Sequence, residues 1–142
     1  MIHSIKEWFR TAKPKPTVKD AGVQIGCHYE EVAEMADALW DGEVQESAEN
    51  VANKYKDADD LFVFFLGDLS ECQRIQLLDA ICDQIVTAVG VAYMMGMDIE
   101  GALAEVNRSN WSKFKGGVPV FNEQGKIVKG AQYTPPELSK YI

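Results

Sequence analysis

Glu30, Glu31, Glu34 and Asp37 fall within eight positions of the segment CHYEEVAEMADAL. Glu30, Glu34 and Asp37 stand at i, i+4 and i+7, which places them on one side of a helix, with Glu31 beside them. Taken alone, such a pattern reads as the wet face of an amphipathic helix. A second pair changes that reading: Asp79 and Asp83 stand at i, i+4 in SECQRIQLLDAICDQIVTAVGVAYMMG, a segment apolar nearly all round beyond Gln84. A carboxylate buried in such a helix needs a partner, because left alone it is strongly disfavoured or takes up a proton. Between residues 20 and 112 the basic candidates are Lys54, Lys56, Arg74 and Arg108, against nineteen acids. A divalent cation is the simpler partner. Carboxylates are hard oxygen donors that suit Mg²⁺, or Mn²⁺, better than zinc. Mg²⁺ keeps water ligands and is commonly shared with phosphates, so the expected ligand is a nucleotide or another polyphosphate.

Other chemistries lack their residues. A di-iron carboxylate centre needs Glu-x-x-His on two helices, whereas His28 precedes Glu31 in the reverse order and the other histidine is His3. No Ser/His/Asp or Cys/His arrangement for a nucleophile is evident, and the glycines form no phosphate-cradling loop. His28 reads as structural or exposed.

Charge divides the chain of 142 residues. Its net charge of −8 resolves into +4 over residues 1–19, −15 over 20–112 and +3 over 113–142. The acidic middle argues against duplex nucleic acid, which needs a basic surface to displace counterions; the basic tail suits a small phosphorylated ligand. Cys27, Cys72 and Cys82 have no metal-ligand spacing, which fits a reducing, cytoplasmic setting. MIHSIKEWFRTAK lacks the features of a secretory signal, and IVTAVGVAYMMGM is too short to span a bilayer, so no membrane association is expected.

The elements that must position these residues follow from periodicity and punctuation. Residues 3–12 predict a short helix with Ile5, Trp8 and Phe9 on one side, ended by Lys13-Pro14-Lys15-Pro16; residues 1–16 read as an arm and linker, and 17–142 as the domain proper. Thr17 to about Trp40 predicts a helix with Val32, Met35, Ala36 and Leu39 inward, Trp40 in the core and Asp41-Gly42 closing it. Glu43 to Tyr55 is helix-compatible, and DADDLFVFFLGDLS leans to helix over strand. Ser70 predicts the N-cap of a long helix ending at Gly96, central to the fold and touching another subunit. Asp98 caps a further helix that Gly116-Gly117 terminates. Alternation around Glu123-Gln124-Gly125 predicts a short hairpin, followed by a Pro-rich extended tail. Long helices with short connections and one small hairpin make this an all-α helical bundle of four-helix type.

With these residues in order, the chain resembles the all-α nucleoside triphosphate pyrophosphohydrolases, the superfamily of MazG, dimeric dUTPases and phosphoribosyl-ATP pyrophosphohydrolase. The resemblance runs from about Val23 to the C-terminus. Glu31-Val32-Ala33-Glu34 matches the first Glu-x-x-Glu motif, with Glu30 giving the frequent Glu-Glu-x-x-Glu form. In the second motif, Glu-x-x-Asp, Asp83 takes the Asp position but Ala80 stands where Glu is expected; Asp79 is one residue earlier and on the same face as Asp83. Asn110-Trp111-Ser112-Lys113 resembles the family's Asn-x-x-Lys element, and Gly125-Lys126-Ile127-Val128-Lys129-Gly130 with Tyr133 and Pro135-Pro136 resembles its tail.

The resemblance implies a MazG-like bundle and Mg²⁺-dependent cleavage between the α and β phosphates, giving a nucleoside monophosphate and pyrophosphate. It implies metal ligation by Glu31, Glu34, Asp79 and Asp83, with Glu31 or Glu34 orienting the attacking water, and Glu30 and Asp37 in support. Lys113, Lys126 and Lys129 would meet phosphate oxygens, Asn110 the base, sugar or phosphate, and Trp111 or Tyr133 a base. A homodimer or homotetramer is expected. The rival reading keeps the bundle without the chemistry: a catalytically silent nucleotide- or metal-binding module, or a homo-oligomeric interaction protein, in which Ala80 marks a decayed site.

Overall fold

Side-chain caps set most of the helix starts. Thr17 and Asp20 form a reciprocal box, in which Thr17 Oγ1 accepts from the Asp20 N–H at 3.1 Å and the Asp20 carboxylate accepts from the Thr17 N–H at 2.9 Å. Asp41, Asp59 and Asp98 accept from the N–H groups of Val44, Phe62 and Gly101. Ser70 and Gln73 pair reciprocally at the start of the long helix. Three of the acids in the negative middle of the chain, Asp41, Asp59 and Asp98, are therefore N-caps, satisfying N–H groups that have no partner within their own helix, and a fourth, Asp20, closes the box at Thr17.

The computed structural model describes residues 1–121 and 127–142. In chain order the helices are α1 (Ile2–Ala12), α2 (Val18–Ala38), α3 (Gly42–Lys56), α4 (Asp60–Gly67), α5 (Glu71–Met94) and α6 (Ile99–Trp111), followed by a 3₁₀ turn at Ser139–Tyr141. The fold is all-α: no strand occurs among the described residues, only isolated antiparallel bridges at Lys115–Val118 and Phe121–Ile127. The second bridge, with the Val128 N–H donating to Val120 O at 2.8 Å, flanks the expected hairpin. Its turn, Glu123-Gln124-Gly125, lies outside the described residues, as does Lys126.

The chain forms two compact units, Pro16–Ile75 and Met1–Lys15 with Gln76–Ile142. In the first, α2 and α3 pack along their lengths, with α4 against α2. The face that α2 buries is not the one marked by its large apolar residues. Gly22, Gly26, Ala33 and Ala36 are buried, while Met35 and Leu39 are exposed. Small residues win here because they let the backbones approach: a Cβ at Gly26 would stand 2.7 Å from the Ala52 carbonyl oxygen. Ala48 and Ala52 are the matching buried residues of α3. Tyr29 stacks on Tyr55 at 5.7 Å and Phe62 of α4 meets Tyr55 edge-on at 5.3 Å, closing the other end of this core.

Trp40 is not core. It is 95% exposed and takes a left-handed conformation, φ 58°, in the turn after α2, where the Asp41 N–H reaches back to Ala36 O. The chain reverses on Trp40 itself, so Gly42 opens α3 instead of closing α2.

In the second unit α1 packs on α6. Trp8 Nε1 donates to Asn110 O at 3.0 Å and its ring stacks on buried Phe114 at 5.4 Å. Asn107 Nδ2 donates to Ser4 Oγ at 2.8 Å. The remainder of α5 also belongs to this unit, yet of its 24 residues only Ala92 is buried. The sequence places this helix at the centre of the fold; within one chain it is uncovered, with Cys82 exposed like its neighbours. By length and composition alone α5 could also cross a membrane, contrary to the reading of its apolar stretch as too short.

Candidate functional site

The close crossing of α2 and α3 leaves a groove of about 350 Å³ along one side, lined by Glu30, Glu34 and Asp37 from α2 and by Gln45, Glu49 and Lys56 from α3. The three α2 acids share a wall because Ala33 and Ala36, between them in the helical register, are the residues pressed into the helix contact. Glu30 is half-buried and paired with Lys56 Nζ at 2.7 Å. That lysine side chain is itself only 17% exposed, so the pair is partly desolvated and fixed. Glu34 and Asp37 continue the wall toward Glu49, whose Oε1 accepts from Gln45 Nε2 at 3.0 Å. Glu31 is exposed and does not line the groove. His28 is exposed beside Tyr29.

Glu49 and Gln45 were given no role by sequence reasoning. The signal is visible in retrospect: Gln45, Glu49 and Asn53 recur every four residues beside the small pair Ala48 and Ala52, mirroring Glu30, Glu34 and Asp37 beside Ala33 and Ala36. Two acid-bearing helices that meet through alanine stripes necessarily bring their flanking polar rows together.

No group of three or more His, Cys, Asp or Glu side chains converges into a ready-made metal cage among the described residues. Mg²⁺ does not require one, since it is held through one or two carboxylates while water and substrate phosphates fill its remaining positions. The hard oxygen donors of the groove fit that mode of binding. Asp79 and Asp83 lie on α5 in the other compact unit, where both are exposed.

Of the expected substrate-binding residues, Asn110 and Lys113 lie at the C-terminal end of α6, and Lys129 and Tyr133 lie in the tail beside it. The Lys113 N–H donates to Asn110 O at 3.2 Å, and a Cβ at Gly130 would stand 3.5 Å from Lys113 O. Lys129 Nζ sits 4.9 Å from the centre of the Tyr133 ring, and the Tyr133 N–H donates to Gly130 O at 3.0 Å. The tail segment that carries Lys129 and Tyr133 thus passes beside the backbone of Lys113. Trp111 meets Phe114 edge-on, a packing role.

The tail is fastened to α6 by polar contacts. Arg108 donates to Thr134 Oγ1 and to Pro135 O, the Thr134 N–H donates to Ser112 Oγ, and the Glu137 N–H donates to Glu105 Oε1 at 3.0 Å. Glu105 also receives Arg108 at 2.7 Å. The Arg108 hydrogen bond, joined by the Glu137 N–H, holds the Glu105 carboxyl down at about 2. Because the folded-state value is depressed, the clasp is at full strength above the ordinary carboxyl range, weakens as pH falls below it, and is lost as pH drops through about 2. The Glu137 amide resonance, followed by NMR, is expected to titrate with a midpoint near 2, and this titration is expected to vanish in Glu105→Gln.

No family model, curated protein or solved structure significantly matches the chain.

Proposed function

We propose that this protein is a Mg²⁺-dependent nucleotide pyrophosphohydrolase, cleaving the α–β phosphoanhydride of a nucleoside triphosphate to a monophosphate and pyrophosphate, on a MazG-like all-α bundle. The observation that supports it most is the groove in which Glu30, Glu34 and Asp37 of the Glu-Glu-x-x-Glu helix meet Glu49 of the next helix. Glu34 and Asp37 are the groove's candidates to hold Mg²⁺ (or Mn²⁺); the motif residues Glu31, Asp79 and Asp83 are candidate ligands by resemblance alone. When bound with the phosphates, the ion supplies charge neutralisation and a more acidic water.

The protein's own work lies in position and proton transfer. A carboxylate oxygen of Glu34, which lines the groove, orients the attacking water and accepts its proton; Glu31, which does not line it, shares that role by resemblance only. The Glu30–Lys56 pair fixes the α2–α3 spacing, so that the wall of acids does not spread under its own repulsion. By resemblance alone, Lys113, Lys126 and Lys129 are the candidates to meet phosphate oxygens, and Asn110 and Tyr133 the further candidates for substrate binding. Pyrophosphate release from a panel of canonical and modified nucleoside triphosphates with Mg²⁺ tests this reading. The silent binding module remains the second reading, and Ala80 in place of the motif's Glu is what favours it.

The active form in this proposal is a homodimer or homotetramer assembled through α5. Leu78, Val86 and Met94 are 63%, 67% and 82% exposed, a load of apolar surface that a second copy of the same helix would cover symmetrically. A lipid environment fits less well, because it would strand Asp79 and Asp83 at about 2.5–3.5 kcal/mol each. Light scattering is expected to give a dimer or tetramer without detergent, and Val86→Asp is expected to shift it toward monomer. A monomeric wild-type chain would remove the assembly from the proposal.

A further inference from the structure

A second concavity adjoins the acid groove within the same compact unit. It lies between α3 and α4 and is lined by Asn50, Asn53, Lys54, Leu61, Phe62 and Phe65. Asn53 lines both cavities, so the two adjoin at that side chain, with Glu34 and Glu49 lining one and Phe62 and Phe65 the other. We infer that this pocket takes the heteroaromatic base of a nucleotide whose phosphates lie along the acid groove. The inference rests on the proposed nucleotide chemistry and adds the site that would read the base.

Three features carry it. The rings of Phe62 and Phe65 offer π faces, and stacking on an aromatic side chain is the sequence-tolerant way to hold a base. Phe62 is held in place by its edge contact with Tyr55, while Phe65 is 60% exposed and available. The carboxamides of Asn50 and Asn53 line the same pocket, and each offers the donor and acceptor with which such a side chain can read the edge of a base. Lys54, Asp57 and Asp59 share the lining, Asp59 being occupied as the α4 cap, and the two amides are the uncharged polar side chains there that both donate and accept. The rival occupant is an apolar helix of a second copy. It would cover Leu61 and Phe65 but, unlike a planar base, would offer the two carboxamides no matching donors and acceptors.

Calorimetric titration of the full chain, in Mg²⁺, with AMP, GMP, CMP, UMP, ribose 5-phosphate and pyrophosphate tests the site. At least one nucleotide is expected to bind about tenfold or more tighter than ribose 5-phosphate. Asn50→Ala and Phe65→Ala are expected to reduce that preference by about tenfold and to leave pyrophosphate affinity unchanged. Both positions are exposed, so neither change threatens folding. Equal binding of nucleotides and ribose 5-phosphate by the wild type would overturn the inference, as would a preference that survives both variants. A change of oligomeric state in Phe65→Ala with base preference intact would assign the pocket to a second copy. Base preference lost in the variants, with no triphosphate hydrolysed, would keep the pocket and remove the hydrolase; hydrolysis with a preference indifferent to the variants would do the reverse.

Discussion

Glu34→Gln is expected to lower pyrophosphate release by about a hundredfold or more while leaving the helical fold intact. The substitution preserves shape and removes a negative charge and a proton acceptor from the middle of the acid wall. Glu34 is exposed in the groove and has no packing role to lose, so circular dichroism and the unfolding midpoint should not move. Asp83→Asn is expected to act in the same direction if the second motif supplies carboxylates to the reaction. Full activity in Asp83→Asn would remove that residue from the proposed metal ligands. Asp37→Asn is expected to cost less than Glu34→Gln, because Asp37 lies outside the Glu-x-x-Glu core of the motif.

The largest effect on stability is expected at Gly26. Replacing it with Val would put a Cβ 2.7 Å from the Ala52 carbonyl oxygen, 3.1 Å from the Lys56 nitrogen and 2.6 Å from Lys56 Cγ. The lysine side chain can swing away, at the expense of its pair with Glu30; the backbone atoms of α3 can yield only if the helices separate. Overpacking of this kind costs about 1–3 kcal/mol, and the β-branch places a Val at the upper end. Ala at the same site would gain about 1 kcal/mol in helix propensity yet meet the same two backbone atoms, so it too should destabilise, by less. For a chain of this length about 3 kcal/mol corresponds to a fall of roughly 10 °C in the unfolding midpoint. Gly42→Ala is the control: a Cβ there meets nothing within 4 Å, and it should be neutral or mildly stabilising. Because Gly26 also sets the width of the groove, Gly26→Ala should weaken any ligand held between α2 and α3.

The helix ends were legible in the sequence because they are written in local chemistry. Ser70, Asp98 and the Lys13-Pro14-Lys15-Pro16 connector each act within a few residues of themselves. The buried face of α2 was not legible in the same way. Periodicity weighs large apolar residues, and it selected Val32, Met35, Ala36 and Leu39; a close helix crossing selects for the absence of side chain, so the contact runs through Gly22, Gly26, Ala33 and Ala36. Only Ala36 belongs to both sets. Trp40 misled for a related reason, since a large aromatic reads as core unless the turn it must form is known.

For the candidate site, the row Glu30, Glu34 and Asp37 was visible from spacing, and it does line one wall. Glu49 was not, because its helix carries a weak apolar pattern and reads as merely polar. The passage of the segment 129–133 beside α6 comes from the fastening of the tail by Arg108, Ser112 and Glu105, which no local pattern reveals. The apolar character of α5 was plain in the sequence. Its lack of cover within the chain was not, since composition gives the amount of apolar surface and not what lies against it.

The most direct measurement is product analysis after incubating the purified chain with Mg²⁺ and a panel of canonical and modified nucleoside triphosphates. The proposed function predicts equimolar monophosphate and pyrophosphate from at least one of them, abolished by chelation and strongly reduced in Glu34→Gln. Absence of turnover across the panel, or release of orthophosphate and diphosphate in place of pyrophosphate, would contradict it.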